Sequence, residues 1–174
     1  MESTLLVLLV VMLVVSLGLI LLCEDAKIKV KYGPRAFPIA KATDGSAGYD
    51  MCASEDVVIP PGTYRMIPTG VYVQLPRFSV GDLVHRSGMN SKQGAWVYGT
   101  IDSDFRGDVK INMFNMDPSE EIRIKRGEAV AQLVVKELHQ GSLRVVDKLK
   151  ETKRGTNGFG STGRNGGLRD SRCL

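Results

Sequence analysis

From Lys27 onward the chain never sustains a helical period, and this limits its fold more than any other feature. "KIKVKY" sets Lys27, Lys29 and Lys31 against Ile28, Val30 and Tyr32, a period of two with one wet face and one buried face. "VKINMF" repeats the pattern with Val109, Ile111 and Met113, and "EIRIKRG" and "LRVVD" are further short β-like runs. Pro60-Pro61-Gly62, Asp117-Pro118 and Arg126-Gly127 punctuate them with turns. Short strands with frequent turns predict an all-β sandwich or barrel. "RSGMNSKQ", residues 86–93, is the one stretch that reads as a short helix. The alternation stops after Leu149, so a β-barrel domain is expected over 27–149 and a flexible, glycine-rich basic arm over 150–174. At 174 residues without an internal repeat, the chain has room for one such domain.

The N-terminus is of another kind. "LLVLLVVMLVVSLGLILL", residues 5–22, runs for 18 residues without a charge. As a helix it reaches about 27 Å, enough to cross a thin hydrocarbon core. Met1-Glu2-Ser3-Thr4 carries an acid where a cleaved leader has a basic region, and leucines stand where a small-x-small cleavage site is required. Lys27, Lys29 and Lys31 follow, and the positive-inside rule keeps that flank in the cytosol. Residues 1–26 are therefore expected to be an uncleaved, single-pass transmembrane anchor with the remaining chain facing the cytosol.

Charge and ligand-forming residues exclude several classes. The formal charge is +4, and residues 148–174 hold seven Lys/Arg against two acids, a balance that suits polyanions. Aromatics and lysines are not interleaved as a base-stacking surface requires, so nucleic acid is not expected as a partner. Cys23, Cys52 and Cys173 are scattered and form no C-x-x-C pair, and His85 and His139 stand far apart. Neither a disulfide framework nor a zinc cluster fits, and a metal would be a hard ion held by oxygens.

"RGTNGFGSTGRN", residues 154–165, looks like a phosphate cradle. "GFGSTG" matches the dinucleotide pattern, yet only eleven residues follow Gly163, too few for the helix and strand it needs. "GTNGFGST" resembles a Walker loop with Ser161 in place of its lysine. Both matches fail. What remains is simpler: glycines admit a close anion, Ser161 and Thr162 donate hydroxyls, Arg154 and Arg164 add charge, and Phe159 offers a flat face.

Four upstream segments give the tail its meaning. "AGYD" (47–50), "RSGMNSK" (86–92), "GTIDSDFRG" (99–107) and "GEAVAQLV" (127–134), followed by "RGTNGFGSTG" (154–163), resemble the five motifs of the trimeric dUTPase family in order and spacing. The resemblance covers about 27–165 and leaves out the apolar segment. It implies a jelly-roll-like β-barrel, a homotrimer with sites assembled from several chains, and hydrolysis of dUTP to dUMP and pyrophosphate with Mg²⁺ on the triphosphate. Asp102 takes the role of the carboxylate that orients and deprotonates the attacking water. Phe105, where the family more often has Tyr, lies beneath the deoxyribose and leaves no room for a 2′-OH. Main-chain groups of Gly99, Thr100 and Ile101 hold uracil. Arg86, Ser87 and Gly88 hold phosphates, and Gln132 bonds an α-phosphate oxygen. Asp50 and Gln132 touch the metal only through its waters. Arg154 and Phe159, Gly160, Ser161 and Thr162 form a cover that closes over substrate.

The chain departs from the family pattern in places. His85 stands where proline is usual, Glu128 and Ala129 where Asp and Arg are usual, and Met51 and Cys52 follow Asp50. The missing arginine is expected to affect stability rather than activity. Two other readings compete. A dCTP deaminase needs a glutamate in the strand after the third motif, and Asn112 occupies that place. A non-catalytic, membrane-tethered interaction module has no use for the intact set Asp102, Ser87, Gln132 and Arg154.

Overall fold

In the computed structural model the described residues are 2–158. Two compact units divide after Gln140. The first holds α1 (Glu2–Asp25), β1 (Lys29–Tyr32), β2 (Tyr49–Cys52), β3 (Val57–Ile59), β4 (Tyr64–Gln74), β5 (Ser79–His85), α2 (Ser87–Gln93), β6 (Ala95–Asp102), β7 (Asp108–Asn115), β8 (Ile122–Ile124) and β9 (Ala129–Glu137). The body is all-β, as expected, with α2 as its one short helix. Seven strands form a sheet in the order β1-β4-β7-β6-β5-β9-β2, and β3 pairs with β8. All these pairings are antiparallel.

The period of two builds the core. Along β7, Val109, Ile111, Met113 and Asn115 point inward while Lys110, Asn112 and Phe114 face out. β6 does the same with Ala95, Val97 and Ile101 inside and Trp96, Tyr98, Thr100 and Asp102 outside. These inner residues meet Met51, Ile59, Ile67, Ile124, Val130 and Leu133, all but excluded from solvent. The outer face of β4, β7 and β6 is unusually apolar. Tyr64 pairs across to Phe114, Phe114 to Trp96, and Tyr64, Met66, Trp96 and Tyr98 are 47–70% exposed.

A bulge in β4 fixes where β7 begins. The ladder shifts register between Pro68 and Tyr72, and Gly70 adopts φ +68 beside Ala36, whose Cβ would lie 3.2 Å from any added Cβ. The Gly70 N–H donates to Asp108 Oδ1 at 2.8 Å, and the buried Thr69 hydroxyl donates to Val109 O at 2.6 Å. Both bonds land on the first two residues of β7, next to the hairpin that carries Asp102.

Two expectations differ from the structure. "LRVVD", residues 143–147, forms no strand, and Leu143 and Val145 are fully exposed. A short alternation becomes a strand only where a sheet edge takes it up, and the last strand ends at Glu137, well before the expected limit at 149. The apolar segment is helical, as α1, with apolar residues on every side of its axis. Among the described residues, however, no helix is long and apolar enough to cross a membrane, so the expected transmembrane span is not established by the fold.

Asn115 is the polar keystone at the end of β7. Its buried amide donates to Ile59 O at 3.0 Å and Glu120 O at 2.8 Å, and its Oδ1 accepts from the Asp117 N–H at 3.0 Å. Truncation leaves those groups unpaired in a dry site. Asn115→Ala is expected to lose about 2–4 kcal/mol of stability, read as a lowered urea midpoint.

Candidate active site

The third motif is a hairpin between β6 and β7. The Phe105 N–H donates to Asp102 O at 3.1 Å, closing a four-residue turn. Arg106 Nη1 then donates to Ser103 O at 2.8 Å and Phe105 O at 2.7 Å, tying down two carbonyls that the turn leaves open. Since Thr100 and Asp102 occupy outward positions of β6, both face a cleft of about 470 Å³. Ile101, Phe105 and Gly107 line it as well. A Cβ on Gly107 would lie 2.6 Å from the Phe105 ring, so glycine is what lets that ring lie along the cleft. Met66, Asp108 and Lys110 complete the wall. The sequence offered no signal for Met66 and Lys110, which arrive from neighbouring strands of the sheet.

The second and fourth motifs build a separate cleft, of about 510 Å³, lined by Arg86, Ser87, Gly88, Gln132, His85 and Lys92 among others. Arg86 is the N-cap of α2 in extended conformation and makes no side-chain cap bond, so its guanidinium is free to turn back toward the sheet. There Nη1 donates to Ala129 O at 3.1 Å, and Nε lies 3.4 Å from Asp50 Oδ1. The same Asp50 oxygen accepts from Gln132 Nε2 at 3.1 Å, across the Asp50–Gln132 register pair of β2 and β9. A carboxylate thus holds an arginine and an amide side by side. One amide N–H of Gln132 is used, and its second N–H and its Oε1 remain for a ligand. Ala129, where the family usually has Arg, holds Arg86 through its backbone oxygen.

His85, in the place of the family's proline, stacks on Trp96 with ring centroids 4.9 Å apart. Its buried Nδ1 has no hydrogen-bond partner among the described residues. Beside Asp50, burial pushes the Cys52 thiol above its ordinary 9.0; the Asp50 charge adds to the shift and Arg86 opposes it.

The two clefts lie at opposite ends of one ladder. Asp102 pairs with Val80, while Gln132 pairs with Val84. Arg86 is six residues beyond Val80, roughly 20 Å along an extended chain. Of the remaining expected site residues, Gly99 packs against Leu83 in β6 and lines neither cleft. Arg154 belongs to the second unit, where its Nε donates to Asn157 O at 3.0 Å. Phe159, Gly160, Ser161 and Thr162 lie outside the described residues.

Comparison with known proteins places this arrangement. The dUTPase family model matches residues 36–163, well over half of the chain. The chain belongs to the dUTPase family. It is 44% identical over 124 residues to the deoxyuridine 5'-triphosphate nucleotidohydrolase of Corynebacterium diphtheriae, covering 70% of this chain and 82% of that relative. The solved Staphylococcus bacteriophage 80alpha dUTPase with dUPNHPP matches at TM-score 0.74 and 30% identity, over 79% of this chain and 98% of that one. A dUTPase from phage phi11 of S. aureus, described with a structural Mg(II) ion, matches at TM-score 0.67 and 26% identity, over 70% and 97%. The hairpin cleft and the arginine cleft both lie within the residues that the family model matches.

Magnesium can be tested against the donors present. Among the described residues no three His, Cys, Asp or Glu side chains gather as a metal cage. Asp50 and Gln132 offer hard oxygens beside the arginine cleft. Such a sparse set fits an ion that keeps its waters and arrives on a triphosphate.

Cys52 reports on this cluster. Its alkylation, mapped by mass spectrometry, is expected to set in at higher pH than that of an ordinary exposed thiol. Asp50→Asn removes a negative charge that disfavours the thiolate, so the onset should move to lower pH; an unchanged profile would remove the electrostatic link.

Proposed function

We propose that the chain hydrolyses dUTP to dUMP and pyrophosphate. The observation that carries this reading is Asp102, an outward carboxylate at the mouth of a cleft walled by Thr100, Ile101 and the Phe105 ring. Asp102 accepts a proton from the attacking water and aims its oxygen at the α-phosphorus. A new P–O bond forms there, the α–β bridge breaks, and pyrophosphate leaves with the electron pair. Main-chain groups of Thr100 and Ile101, which line the cleft, read uracil, with Gly99 next to them in β6 though outside the lining. Cytosine reverses that donor–acceptor pattern and leaves buried groups unpaired at about 1–3 kcal/mol each. The exposed Phe105 face stacks under the deoxyribose, and a 2′-OH has no space there.

Arg86, Ser87 and Gly88 take the phosphates, and Gln132 gives its second amide N–H to an α-phosphate oxygen. Bound Mg²⁺ supplies charge neutralisation on the triphosphate, with Asp50 and Gln132 reaching its waters. Arg154 and the Phe159–Thr162 segment serve as a cover over uracil and the γ-phosphate, excluding bulk water. Two features support a homotrimer with shared sites: the roughly 20 Å between Asp102 and Arg86, and the exposed apolar face of β4, β7 and β6. A site then takes the hairpin cleft from one chain and the arginine cleft from the next. We also read α1 as a membrane anchor with the enzyme on the cytosolic side. What supports it is the uncharged run over 5–22, its helical form, and the lysines that follow. Deamination has no support at Asn112, an outward amide on β7 with no acid–base capacity.

Pyrophosphate release from dUTP, dCTP and dTTP tests the chemistry. The chain is expected to act on dUTP alone, and Asp102→Asn to lower kcat by about 10²–10⁴ with KM little changed. Full activity in that variant would remove Asp102 from the mechanism, and no release by the parent would favour a binding module. Mixing the separately inactive Asp102→Asn and Arg86→Ala chains by co-refolding should restore roughly a quarter of parent activity, since random assortment rebuilds that share of the shared sites. No recovery would overturn the shared-site reading.

A further inference from the structure

A third cleft, of about 290 Å³, takes Ser103, Asp104 and Arg106 from the hairpin and shares no lining residue with the cleft that Asp102 faces. Lys29 lines it from β1 and Lys27 from just before it, Arg77 from the β4–β5 turn and Arg106 from the hairpin, with Asp104 the only carboxylate among the described lining residues. Four cations against one acid make it an anion-binding surface. Beside it stands Phe78, 46% exposed at φ +62, a backbone conformation that residues with a side chain adopt only where their surroundings impose it. The Leu138 N–H holds the Phe78 carbonyl at 2.7 Å, and the Arg77 guanidinium lies 4.5 Å from the Phe78 ring centroid. An aromatic ring is thus displayed next to arginine at the rim of a basic cleft. Basic side chains around an exposed ring are the chemistry of a lipid–water interface.

Tethering identifies the occupant. α1 ends at Asp25 and β1 begins at Lys29, so only three residues separate them. That linker reaches at most about 14 Å. Any membrane holding α1 therefore keeps its headgroups beside Lys27 and Lys29 at high effective concentration. We infer that this cleft docks on anionic phospholipid headgroups of the membrane that holds α1, with the Phe78 ring seated at the interface. The inference rests on the anchor reading of α1 and adds a headgroup preference to it. Its consequence is orientation: Ser103, Asp104 and Arg106 of the hairpin face lipid while Thr100, Asp102 and Phe105 stay open to substrate.

The test uses the full chain in nanodiscs of phosphatidylcholine, alone or with about 30% phosphatidylserine, followed by amide hydrogen exchange. Exchange over residues 74–79 and 103–107 is expected to slow at least about fivefold in the anionic discs only. The protection should vanish at about 0.5 M salt and in Lys29→Glu/Arg77→Glu, whose dUTP turnover in detergent reports that the chain is folded. Equal exchange in both discs overturns the docking surface while leaving the anchor intact. Failure to enter neutral discs, with salt-sensitive binding to anionic vesicles still dependent on Lys29 and Arg77, removes the anchor and keeps the surface. Protection of the same segments by a short DNA duplex, and not by anionic lipid, overturns the lipid assignment.

Discussion

A β-strand cannot bring its own ends together, and the chemistry of this chain is arranged around that fact. β5 holds the β6 hairpin at one end and runs into α2 at the other, with β9 fixed alongside it residue for residue. Attack on phosphorus needs its reacting atoms within about 3–3.5 Å, whereas the two halves of the site stand roughly 20 Å apart. The ladder therefore fixes each cleft rigidly, and in the proposed trimer a second chain unites them. Register is equally decisive. A slip of one residue in β6 would turn Thr100 and Asp102 into the core and drive Ile101 into solvent. The buried Ile101 and the β4 bulge bonded to Asp108 make that slip costly.

Much of this was readable from residue order, for reasons that differ between elements. β7 and β8 announce themselves because each has one wet and one dry face, whereas β1 keeps only Val30 half-buried and leaves Tyr32, expected inside, exposed. The motifs are legible because they rest on turn and backbone chemistry that few residues satisfy, such as the glycine beneath Phe105. The clefts were less so. Met66 and Lys110 reach the hairpin through cross-strand pairing, and no local pattern encodes which strand lies next to which. "LRVVD" shows the converse, since a correct local alternation found no sheet edge to join.

The arginine cleft shows how a departure from pattern is absorbed. Arg86 and Asp50 are 40% and 22% exposed and 3.4 Å apart, so their pairing contributes little stability in the face of solvent. Its value is positional. A guanidinium held on one edge by Asp50 and on another by Ala129 O keeps its remaining donors aimed outward, and a planar fork loses little freedom on gaining a phosphate. Because that second contact is a backbone oxygen, replacing the family's usual Arg by Ala129 leaves it untouched.

Assembly and tethering also constrain one another. A cyclic threefold axis carries every atom of one chain to the same height in the next two. In the proposed anchored trimer, three copies of the short Asp25–Lys29 link leave the assembly at one end, and three helices can enter one bilayer without distorting any subunit. A dihedral arrangement would send exits to opposite ends and forbid this. The same operation sets three basic clefts and three copies of Phe78 at a common level. Headgroup contacts of the kind inferred for the basic cleft, each weak and salt-sensitive, would then be simultaneous, so a modest preference per chain would multiply across the trimer. In the proposed assembly, the symmetry that completes the catalytic site would thus also set the basic clefts toward one surface together.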